Sequence, residues 1–86
     1  MKTKEIEFDV AESYFKKLPS SKQICCINPK FIKIDSSRNC VLKPTFWLAI
    51  EDNKFLLHSF YLHYHKTFDI YDIESAYGYG GPISNV

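Results

Sequence analysis

The stretch TFWLAIEDNKFLLHSFYLHYH, residues 45–65, decides the fold class. Two β-prone runs, 45–50 and 55–65, flank the polar tetrapeptide 51–54. β-branched and aromatic residues on both sides of a short polar break predict an antiparallel hairpin. Alternation sorts the second run into two faces. One carries Leu56, His58, Phe60, Leu62 and Tyr64. The other carries Phe55, Leu57, Ser59, Tyr61, His63 and His65. Both are largely apolar, so this strand calls for cover on both sides.

Working outward, residues 9–18, DVAESYFKKL, predict a short helix. Asp9 is positioned to cap it, with Glu12 completing a capping-box-like start. Val10, Tyr14 and Leu18 share a face, with Ala11 and Phe15 beside them. Pro19 and two serines end it. QICCI (23–27) and FIKID (31–35) predict short strands, the second running into a polar turn at 35–39. A last strand is expected at 68–73, FDIYDI. The expected class is therefore α+β, with a short N-terminal helix and an antiparallel, hairpin-based sheet, in one domain spanning 1–86.

Eighty-six residues at 45% apolar and 16% aromatic make one small domain with ample core material. A chain of this length buries only a little over ~60% of its unfolded surface, so its stability is expected to be marginal. Eleven basic and ten acidic residues leave a net charge of +1. No basic patch offers a footing for nucleic acid. The N-terminus has no apolar run of secretory type, and no segment approaches the ~18–20 apolar residues of a membrane span. Three cysteines, two of them adjacent (Cys25, Cys26) and one isolated (Cys40), make a poor disulfide framework and suggest buried thiols in a reducing compartment. A soluble, cytoplasmic protein is the expectation.

All three glycines lie in the stretch YGYGGP, residues 77–82. Gly78, Gly80 and Gly81 permit positive φ and close approach of another group. Tyr77 and Tyr79 add flat amphipathic faces. Together they can line a pocket for a sugar, a peptide or an acyl acceptor, or they can form a tight turn. The spacing matches neither the GxGxxG fingerprint nor a phosphate-binding P-loop. His63 and His65 share a strand face, but no third metal ligand appears at matching spacing, so no metal site is expected. No nucleophile stands out: Ser59 is flanked by bulk, and Cys25 and Cys26 have only Lys22 as a basic neighbour.

The run FDIYDIESAYGYGGPISN (68–85) resembles the early part of GNAT-related and FemAB-like bacterial N-acyltransferases. Tyr71, Asp72, Ile73, Tyr77, Gly78, Tyr79, Gly80, Gly81 and Pro82 match a pattern of the type YDIxxPYGYGGP, with Ala76 where proline is common. The hairpin turning at Asp52-Asn53 resembles the hairpin preceding that motif, and the helix at 9–18 sits where the family places its first. The resemblance covers about residues 45–85, and the glycine motif is its one specific part. It implies a mixed α/β sheet on which an acyl donor, acyl-CoA or in FemAB relatives an aminoacyl-tRNA, meets an amine acceptor. By that resemblance Tyr77, Gly78, Tyr79, Gly80 and Gly81 bind the acceptor and carry no catalytic role. The Gly-rich loop with which such enzymes hold the CoA pyrophosphate has no counterpart here. The expectation is thus an N-terminal portion of a longer acyltransferase, inactive alone, with its donor site on a missing C-terminal half or partner chain. The alternative expectation is a small β-sheet module that dimerises or pairs with a partner strand.

Overall fold

The computed structural model describes residues 2–37, 42–74 and 81–85. The elements run β1 (Lys2–Ile6), α1 (Phe8–Lys16), two 3₁₀ turns (Ser20–Lys22 and Cys25–Ile27), α2 (Pro29–Ser36), β2 (Leu42–Glu51), β3 (Lys54–His65), β4 (Ile70–Glu74) and β5 (Ile83–Ser84). The class is α+β. All strand pairings are antiparallel, in the order β1-β2-β3-β4, with β5 also pairing with β3.

The hairpin is tighter than expected. Its strands extend to Glu51 and Lys54, which face each other in register. Only Asp52 and Asn53 remain to turn the chain. Asp52 takes φ 56°, the left-handed conformation that two-residue hairpin turns demand and that aspartate tolerates. Parity then places side chains. Phe46, Leu48, Leu57 and Tyr61 point to one face of the sheet and are buried, and α1 and α2 pack on that face. Ala11, Phe15 and Leu18 from the first helical segment and Ile27 and Ile32 from the second complete the core. Tyr14 meets Phe55 edge-on, with ring centroids 5.0 Å apart.

Three local expectations are corrected. FIKID is helical. Asn28 caps α2 by accepting from the Lys30 amide at 3.0 Å, and Pro29 occupies the first turn, where its missing N–H costs nothing. Pro29, Ile32 and Ser36 then form the buried stripe, while Ile34 is turned to solvent. Two residues along a helix are about 200° around its axis, which separates the two isoleucines that a strand would have kept together. QICCI forms turns, with Ile27 buried and Ile24 exposed. Cys25 is consequently exposed and Cys26 half-buried, both as free thiols, whereas buried thiols were expected. Helix α1 starts at Phe8, with Glu7 at its N-cap making no side-chain bond. Asp9 sits in the first turn, where its charge suits the helix dipole, and Glu12 pairs instead with Lys16 at 3.2 Å.

β1 is an element the sequence does not announce. Its residues KTKEI are nearly all exposed and make an edge along β2. The last long strand also shifts: Phe68 and Asp69 belong to a turn, with Asp69 at φ 53°, and β4 begins at Ile70.

Candidate functional site

The motif predicted to bind an acceptor lies between β4 and β5. Tyr77, Gly78, Tyr79 and Gly80 fall outside the described residues. The two ends of their segment do not. Glu74, the last residue of β4, pairs with Tyr61, and Ile83, the first of β5, pairs with Leu57. Both ends are therefore held on one edge of β3. Tyr61 and Leu57 are four positions apart there, about 13 Å at strand rise. Gly81, at the descending end, has φ +153°, and a Cβ built on it meets no atom within 4 Å. The glycine answers a backbone requirement in open space rather than a crowded neighbour.

Asn85 secures the descending end. Its Oδ1 accepts from the Phe55 amide at 2.8 Å, and its Nδ2 donates to the Asn53 carbonyl at 3.0 Å. Its own amide donates to the Phe55 carbonyl at 3.2 Å. Lys22 Nζ donates to the Ser84 carbonyl at 3.1 Å. No sequence motif flags Asn85, because its partners are backbone groups 30 or more residues away.

Histidines and carboxylates secure the ascending end. His63 and His65 share the helix side of β3 with stacked rings 4.4 Å apart. His63 Nδ1 pairs with Glu74 Oε2, and His65 Nε2 lies 3.2 Å from Asp72 Oδ2. Both contacts are cross-strand diagonals that hold β4 to β3. Among the described residues no group of three or more His, Cys, Asp or Glu side chains is arranged to hold a metal ion. Tyr61 donates its hydroxyl to Asp35 and so connects this edge to α2.

The face of the sheet turned away from the helices has a different chemistry. Trp47 pairs with His58, whose ring lies 4.5 Å from that of Phe60, and Tyr64 lies 5.2 Å from Tyr71. Phe60 and Thr45 are buried there, while Trp47, Leu56, Tyr71 and Ile73 are exposed. Burial pushes the His58 pKa below its ordinary value, so the imidazole is neutral at pH 7. Tyr64 donates to Asp69 at 2.7 Å, a bond to the protonated phenol that raises its pKa. This surface offers aromatic and hydrogen-bonding groups, with the exposed Lys43 and Lys54 on the same face.

Ser59 is buried among core residues on the helix side, and among the described residues its Oγ has no hydrogen-bond partner, so no described carboxylate or imidazole is bonded to it. Among the described residues no helix is long and apolar enough to cross a membrane. Comparison with protein-family models, curated proteins and solved structures finds no match to this chain.

Proposed function

We propose that this domain is the acceptor-side sheet of an N-acyltransferase resembling the GNAT-related and FemAB-like enzymes, inactive by itself. In this reading Tyr77, Gly78, Tyr79, Gly80 and Gly81 receive an amine acceptor at the edge of β3. The acyl donor, acyl-CoA or an aminoacyl-tRNA, is held by polypeptide outside these 86 residues, in the cytoplasm. One observation carries the reading: both ends of the segment bearing the YGYGGP motif are anchored to one edge of the same strand. Such anchoring presents a short glycine- and tyrosine-rich segment on a rigid support, which is what positioning an acceptor requires.

The test is a pair of titrations followed by backbone amide shifts. Amino sugars and short amine-bearing peptides are expected to perturb Glu74 and Gly81–Ile83. Acetyl-CoA is expected to give no binding heat. Micromolar acetyl-CoA binding by this chain, or acceptor shifts confined to the helices, would overturn the reading.

A second reading is a pairing module without catalysis. The exposure of all five β4 residues favours it. Light scattering separates the two, since a stable symmetric dimer supports the module.

A further inference from the structure

The two edges of this sheet are not equivalent. β1 presents Lys2, Thr3, Lys4 and Glu5, all exposed. Lysines on a polar edge strand are a common device against unwanted pairing. β4 presents Ile70, Tyr71, Asp72, Ile73 and Glu74, all exposed, and among the described residues no strand pairs with its outer side. The register with β3 puts Ile70, Asp72 and Glu74 on the helix side and Tyr71 and Ile73 on the open side, so from Tyr71 to Glu74 its side chains alternate in chemistry as well as direction. Asp72 and Glu74 meet His65 and His63 through Oδ2 and Oε2, and among the described residues no hydrogen bond or ion pair engages Oδ1 and Oε1.

We propose that the outer edge of β4 receives an extended polypeptide segment in which basic and apolar side chains alternate. The backbone supplies the affinity by adding a strand, as in other sheet-edge recognition. The side chains select the occupant. Lysine or arginine on the helix side would face Asp72 and Glu74, and valine, isoleucine or an aromatic residue on the open side would extend the row from Tyr71 and Ile73. A second copy of β4 is disfavoured in two of its registers. Two-fold pairing centred on Asp72 sets that carboxylate against itself, and pairing centred on Ile73 sets Asp72 against Glu74, whereas pairing centred on Tyr71 sets Ile70 against Asp72 and is the register the dimer test addresses. The proposal does not depend on the acyltransferase reading, because it uses none of the residues 77–81.

The experiment titrates the intact chain with a capped eight-residue peptide alternating lysine and valine, and with the same peptide carrying glutamate for lysine. Amide shifts and hydrogen exchange report the site. The lysine peptide is expected to bind at least tenfold more tightly at low salt and to slow exchange in Ile70–Glu74. In the chain with Asp72→Asn and Glu74→Gln, which keeps side-chain size, the preference is expected to vanish. With Asp72→Lys and Glu74→Lys it is expected to reverse. Equal affinity for both peptides, shifts confined to Trp47 and Phe60, or an unliganded dimer with β4 already protected would each overturn the proposal.

Discussion

Replacing Ser59 by alanine is expected to stabilise this protein, against the usual sign of a core substitution. Ser59 is 1% exposed and among the described residues its hydroxyl has no hydrogen-bond partner. Burying such a group without a bond costs about 1–3 kcal/mol, and alanine removes the group. Two opposing effects are smaller. Alanine loses part of serine's fit to a strand, on a scale spanning only about 1 kcal/mol in all. The void left by one oxygen is below the methyl size that costs ~1 kcal/mol. The expected net gain is about 1 kcal/mol. With an m-value of ~1 kcal/mol/M for a chain of this size, the urea midpoint rises by about 1 M. The thermal midpoint rises by roughly 4–8 °C. The single tryptophan, Trp47, lies on the adjacent strand and reports unfolding by fluorescence. Thr45→Val is the control, since the Thr45 hydroxyl donates to the Lys43 carbonyl at 3.1 Å and its loss is expected to destabilise by about 1 kcal/mol. If Ser59→Ala instead lowers stability by more than ~1 kcal/mol, the hydroxyl is bonded in solution, for example through a buried water, and the reasoning fails.

Asn85→Ala removes two side-chain bonds that tie the last strand to the hairpin, and is expected to cost about 1–3 kcal/mol in denaturant titrations. Amide exchange should quicken first at Phe55 and Ile83, and uniform quickening across the sheet would count against a local role. Ile32→Ala empties a fully buried site between α2 and the sheet, with an expected loss of about 2–5 kcal/mol. The His58 pKa is lowered by burial, so the unfolded chain binds its proton more readily than the folded one. Its contribution is intact above the ordinary histidine value of about 6.5 and is lost as pH falls through that value toward the folded pKa. His58→Gln should flatten that part of the stability–pH curve measured by urea titration, and an unchanged slope would refute the assignment.

How far the candidate site was legible follows from where its partners lie. The motif residues Tyr77–Gly81 were visible as a cluster of glycine and tyrosine, a local signal. The shared face of His63 and His65 follows from strand parity. The pairing of those histidines with Glu74 and Asp72 required the register between β3 and β4. The clasp by Asn85 required the return of residues 83–85 to a strand about 30 positions earlier.

The sequence by itself determined the α+β class, the central hairpin, the first helix and the alternation of β3. Each rests on a period or a turn read within a dozen residues, and local sterics decide such features. Tertiary structure decided the rest. FIKID had a strand-like alternation, but the Asn28-Pro29 start and the burial of Ile32 beneath the sheet made it a helix. β1 is a polar strand that exists because β2 offers it an edge. The chemistry of the β4 edge, with Asp72 and Glu74 on one side and Tyr71 and Ile73 on the other, emerges only when the register assigns each side chain a face. Backbone hydrogen bonding between distant segments sets that register, and no local pattern encodes it.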